Sequence, residues 1–167
     1  MTGAPSLSWR TLPAAFRTLG RWLAVVQVAG YTTSLVFVWW TTRLSYGGVA
    51  ARYRGDAGVS SEAAMQFPKS LAEMLTITHT HLLAMAAVFA MTGAQLALCE
   101  RVSPRWKHVL IAESFAALLV SFSAMWLMRW VEPQFGYLLM ASSGLLAVTF
   151  YVESFLVLRE LGTGDRP

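Results

Sequence analysis

The chain has 167 residues, 56% of them hydrophobic and only 13% charged, with a net charge of +4 and a mean hydropathy of +0.50. An ordinary soluble domain carries about 25% charged and about 45–50% apolar residues, so a water-soluble globule could not hide this much apolar surface, and disorder demands far less of it. The cationic surplus does not point to nucleic acid, because no basic patch with interleaved aromatics lies outside the apolar stretches.

Residues 1–21 read as a cytoplasmic or interfacial segment. Within it Trp9, Leu12, Phe16 and Leu19 share one helical face and Arg10, Arg17 and Arg21 another. That pattern suits a short helix lying on a bilayer surface, with Pro13 counting against it. The first expected span, 22–40, contains no charge. It is too long for a cleaved leader and no small-residue cleavage site follows it, so it reads as a retained anchor. An outer loop follows over 41–73, with Gly47, Gly48, Gly55, Gly58 and Pro68. Nothing in it resembles a phosphate cradle or a nucleophile elbow. Three further spans are expected at about 74–98, 109–131 and 135–158.

Each span meets the roughly 20 residues needed to cross about 30 Å of hydrocarbon. Helices satisfy their own backbone in lipid, and the alternating segments of a β-barrel are not seen. The expected fold class is an all-α membrane protein, a four-transmembrane-helix bundle forming a single membrane domain over 1–167. Arg10, Arg17, Arg21, Arg101, Arg105, Lys107, Arg159 and Arg166 fall on one side; Arg43, Arg52, Arg54, Lys69 and Arg129 fall on the other. The bias predicts both termini in the cytoplasm. Trp9, Trp22 and Trp106 would then mark the inner interface, and Trp39, Trp40, Trp126 and Trp130 the outer one. The lone Cys99 permits no intramolecular disulfide and no CxxC or CxxCH motif, and reads as a small buried side chain.

The second span opens after Pro68 and reads Glu-Met-Leu-Thr-Ile-Thr-His-Thr-His over 73–81. His79 and His81 therefore lie one to two turns inside the outer boundary, where an ionisable group is costly and is a functional candidate. Two residues apart on a helix, their rings point about 200° from each other and cannot share one metal ion. His79 lies in line with Ala86, Ala90, Gly93 and Ala97, a small-residue stripe of the kind that lets membrane helices approach. His81 lies in line with Met85, Val88, Thr92 and Gln95, a more polar face suited to a cavity or cofactor. Three readings stay open: neutral packing histidines, an axial ligand to a non-covalent haem b or chlorin, or a proton-transfer or metal role. His108 is a membrane thickness away and cannot assist. Glu73 stands about 12 Å along the axis from His81, too far to share an ion on a regular helix. No metal site is assigned.

Glu113 and Glu153 stand at similar depth near the inner face, and Ser142, Thr149 and Glu153 align on one face of the fourth span. The two carboxyls either share a proton or pair with inner-rim cations such as Lys107 and Arg159; the second is the plainer reading, because long basic side chains snorkel. Arg129 either caps the bundle, pairs with Glu132 or Glu73, or binds a lipid phosphate. Gln27, Tyr31, Thr92 and Gln95 are too few for an ion pathway, which speaks against a channel or pump. No nucleophile–base pair occurs, and no catalytic residue is assigned.

The runs THTHLLAMAAVFAMTGAQLAL, VSPRWKHVLIAESFAALLVSFSAMWL and FGYLLMASSGLLAVTFYVESFLVLREL carry a resemblance, joined by Tyr53-Arg54-Gly55, Pro68-Lys69-Ser70 and Glu73-Met74-Leu75. Together, over about two thirds of the chain, they resemble a poorly characterised family of small four-helix bacterial inner-membrane proteins with His-x-His-Leu at the start of the second helix. Some members carry a CxxCH haem-c motif in the first outer loop, which implies electron transfer. Here covalent haem c is excluded, since Cys99 is the only cysteine. What carries over is His79 and His81 at the His-x-His positions. The expected function is a non-catalytic accessory or structural subunit of a respiratory or photosynthetic electron-transfer system. Its expected partners are the lipid bilayer and other membrane subunits or copies of itself, with no nucleic acid. The alternative is a b-type haem or chlorin-binding electron-transfer protein with His81 or His79 as axial ligand.

Overall fold

Long apolar runs without internal proline form four helices of 27–29 residues, α1 (Ala14–Thr42), α3 (Leu71–Ala97), α4 (Pro104–Trp130) and α5 (Phe135–Thr163), with a short α2 (Tyr46–Arg54) after the first. The computed structural model describes residues 7–55 and 66–163, and no strand occurs among them. Residues 1–6, Gly58 and Arg166 lie outside the described residues. The four long helices are each apolar enough to cross a bilayer. At 1.5 Å per residue they extend about 40 Å, against about 30 Å of hydrocarbon.

Three of them begin earlier than their apolar runs, α1 at Ala14, α3 at Leu71 and α4 at Pro104. Ser70 accepts from the Glu73 amide while the Glu73 carboxylate accepts from the Ser70 amide, a reciprocal capping box that starts α3. Pro104 opens α4, where its missing N–H costs nothing.

The surface helix expected over 7–21 is divided at Pro13. Residues 8–12 form a turn closed by the Thr11 and Leu12 amides on the Ser8 carbonyl, and α1 runs unbroken from Ala14. Pro13 has no N–H to continue a helix from the preceding turn. The turn points Trp9 inward. Its indole donates to the Gln95 carbonyl at 3.0 Å, its ring lies over Gly20, and it is 5% exposed within a cluster of Leu96, Cys99, Val157 and Leu161. Trp9 therefore plugs one end of the bundle instead of marking an interface, whereas Trp22 and Trp106 are exposed.

That end gathers the start of α1, the α3–α4 turn and the end of α5. Arg21 donates to the Leu161 carbonyl, and Glu160 accepts from the Glu100 amide and pairs with Arg101. The other end gathers α2 and the α4–α5 turn. α5 is the central element, packed on α1, α3 and α4, while α1 does not meet α4. The α4–α5 seam is built from small residues: Ser114, Ala117, Ser121 and Ala124 are buried, and the Ser121 hydroxyl donates to Ser142 at 2.8 Å. Small side chains let membrane helices approach closely, where dispersion and hydrogen bonds replace the hydrophobic effect.

Sequence periodicity does not announce α2, which carries two adjacent glycines. Its reason is tertiary. Ser45 caps it by accepting from the Gly48 amide, and Gly48 lies so close to the Thr42 carbonyl that a Cβ has no room. Tyr46 stacks on Tyr137 with centroids 4.4 Å apart, and Arg54 donates to the Met128 carbonyl.

Candidate functional site

The histidines lie on a stretch of α3 that this chain leaves without buried residues. Between Met74 and Phe89 no residue of α3 is buried, and between Gln27 and Thr42 none of α1 is. His79 and His81 fall in the α3 stretch, and both are exposed. Their distances from Leu71 are about 12 and 15 Å along the axis. His81 Nδ1 sits 3.1 Å from the Ile77 carbonyl, one turn back. With the proton on Nδ1 it donates there, and Nε2 keeps a free lone pair. His79 has no hydrogen-bond partner among the described residues. The hydroxyls around them need none from outside, because Thr76, Thr78 and Thr80 donate to the carbonyls of Ala72, Met74 and Thr76.

The small-residue stripe in line with His79 does not form a continuous contact. Gly93 is buried against Ile111 of α4, but Ala90 and Ala97 are exposed. The stripe in line with His81 turns inward further along, where Thr92 and Gln95 are buried. No group of three or more His, Cys, Asp and Glu side chains able to hold a metal occurs among the described residues.

Arg129 is a tie between elements. Its Nε donates to the Lys69 carbonyl at 2.8 Å, and its guanidinium lies 5.0 Å over the Trp130 ring, which stacks on Trp126. Trp126 in turn donates to the Thr78 hydroxyl. Glu73 is engaged by Lys69 at 3.0 Å rather than by Arg129. On the facing edge, Arg43 sits over Trp39 and Trp40, within 5.5 Å of each ring.

The carboxyls lie deeper than the apolar runs implied. Glu113 is about 14 Å from the start of α4, and Glu153 about 15 Å from the end of α5. Glu153 is 0% exposed, and none of the four carboxylate oxygens has a hydrogen-bond partner. The expected inner-rim pairing with Lys107 is absent, because Lys107 donates to the Ala97 carbonyl at the α3–α4 turn. Glu153 and Tyr31 are each near enough to Glu113 to feel its charge.

Around them the scattered polar residues of the spans converge. Gln95 donates to the Gln27 side chain at 2.9 Å, and Gln27 donates to the Val88 carbonyl. The Thr32 and Tyr151 hydroxyls are 2.8 Å apart. Tyr31 stacks on Phe150 at 4.2 Å and meets Phe89 edge-on. The sequence names every one of these polar groups except Tyr151 and Thr32, but not how they meet.

A family profile described as a transmembrane helical domain matches residues 43–166. No curated protein and no solved structure matches the chain.

Proposed function

The chain belongs to the Aq_1264_TM family, a transmembrane helical domain, and from that premise we propose that it serves as a non-catalytic accessory subunit that packs against another membrane protein. It is a multi-pass membrane protein. The observation that carries the reading is the stretch of α3 between Met74 and Phe89, where no residue is buried and His79 and His81 are exposed on opposite sides of the helix. Ionisable side chains within membrane spans face a bundle interior or a watered cavity, since lipid offers them no partner. A neighbouring subunit over this stretch supplies both a cover and hydrogen-bond partners. The Lys/Arg distribution supports both termini in the cytoplasm of a bacterial cell, with the chain as one domain in the inner membrane. An electron-transfer setting is supported by the resemblance to haem-bearing relatives.

A second reading is favoured by one detail. The free Nε2 of His81, with Nδ1 anchored on a backbone carbonyl, is the arrangement of an imidazole poised to bind a metal. In that reading the neighbour's surface carries a haem b or chlorin, and His81 supplies an axial ligand.

The test extracts the protein from its native membrane in mild detergent and runs it on a native gel beside a His79→Leu/His81→Leu variant. The expected result is a large assembly for the natural chain and a small species for the variant, with equal helical content. Identical migration as a small species overturns the proposal. Absorption spectra of the same samples, oxidised and reduced, decide the second reading: a Soret band lost in the variant supports it, and a colourless assembly overturns it.

A further inference from the structure

Of the eight buried side-chain atoms without a hydrogen-bond partner among the described residues, six belong to Gln95, Glu113, Ser114 and Glu153. Glu113 and Glu153 share one depth. Gly93 of α3 packs on Ile111 of α4, and because the two helices run antiparallel, Glu113 lies about 3 Å from that contact toward the level of Phe89, while Gln95 lies about 3 Å the other way, toward Trp9. Tyr31 stacks on Phe150, which lies three residues from Glu153 on the same face of α5. The four orphaned carboxylate oxygens are thus one layer at the α4–α5 seam, with Tyr31 of α1 beside it.

We propose that Glu113 and Glu153, with the Tyr31 phenol beside them, form an intramembrane proton-binding site in which the two carboxyls act as a coupled pair. Two ionised carboxylates without a cation or a donor would be prohibitively costly at this depth. None of the four oxygens accepts a hydrogen bond from a cation among the described residues; Lys107 is turned to Ala97 and Arg101 to Glu160. The titratable group placed beside the pair is Tyr31 from α1, while α3 brings Phe89 and Thr92 to this level. A proton is the one counter-ion that a site so closely packed accepts without displacing a side chain. Tyr31 feels both Glu113 and Tyr151, and the Tyr151 hydroxyl is bonded to the exposed Thr32 of α1. The layer therefore connects to an exposed hydroxyl of α1, and the site itself needs no partner.

The test is infrared difference spectroscopy of the whole protein in phosphatidylcholine vesicles, stepped between acid and alkaline buffer. The natural chain is expected to show the C=O stretch of a protonated carboxylic acid that fades as pH rises. Glu113→Gln and Glu153→Gln, isosteric with the protonated acid, are each expected to retain one titrating carboxyl. Its midpoint should be displaced by about one pH unit or more from that of the natural chain, the mark of coupled sites. The double variant is expected to lose the signal. Carbodiimide labelling provides a readout on the natural chain alone. The acid's proton passes to a carbodiimide nitrogen, its oxygen bonds to the central carbon, and the adduct rearranges to a stable N-acylurea. Labelling at Glu113 or Glu153 that falls as pH rises is expected. A pH-independent spectrum without labelling, a signal that survives in the double variant, or single-variant midpoints equal to that of the natural chain overturns the proposal.

Discussion

Phe150→Ala is expected to lower the unfolding free energy by about 3 kcal/mol and to release the far half of α1 from the bundle. Phe150 is 0% exposed and is the hub of an aromatic group, stacked on Tyr31 at 4.2 Å and edge-on to Phe89 and Tyr151. Beyond Gln27, α1 has no other buried residue until Thr42, so the Tyr31–Phe150 stack is its main hold on α5 along that stretch. Removal of a buried Phe side chain costs about 3–5 kcal/mol in water-soluble cores. The lower end applies here, because lipid leaves only the lost packing and not a transfer term. Titration of the folded protein with a denaturing detergent reads the loss as an earlier midpoint, and Phe150→Leu should recover most of it. An unchanged midpoint would mean that α1 is held by something other than this stack.

The second large effect is at the opposite end. Trp9→Ala is expected to cost about 3 kcal/mol and to make Cys99 reactive. In the folded chain Cys99 is fully buried beneath Trp9, with its Sγ 3.6 Å from the Gln95 carbonyl. Burial, followed by the negative charge of Glu160, pushes its thiol up to about 12. Only the thiolate reacts with a maleimide, so at neutral pH the natural chain should label only after denaturation. Without the indole, water and reagent reach the sulfur, and labelling of the folded variant should proceed readily. Rapid labelling of the natural folded chain would contradict the plug.

The spans were legible because length and apolarity alone determine what can cross a bilayer. The structure adds what local signals contribute: the Ser70–Glu73 capping box starts α3 at Leu71, and Pro104 in the first turn starts α4. α2 was not legible, since a segment opening Tyr-Gly-Gly has no helical period to read. It is held by a close approach of Gly48 to Thr42 across the α1–α2 turn and by a stack on Tyr137 made across the fold. Trp9 misled because a tryptophan near a span ordinarily sits at the interface; only the corner at Pro13 and the space over Gly20 send it inward. The buried face of Ser142, Thr149 and Glu153 followed directly from helical spacing. The fate of the carboxyls did not, because a sequence shows which cations are near in number and not where they turn. For the histidines, spacing correctly separated two faces. It could not show that α3 packs mainly through the half beginning at Phe89, which leaves both rings uncovered.

The most direct test of the account is site-specific photo-crosslinking in the native membrane, with a benzophenone amino acid placed at position 79 or 81 on the uncovered stretch of α3 and at Leu119 on α4 as an exposed control. The account predicts that positions 79 and 81 each yield one discrete protein adduct, while position 119 yields lipid adducts only. Lipid adducts alone at all three positions would contradict it.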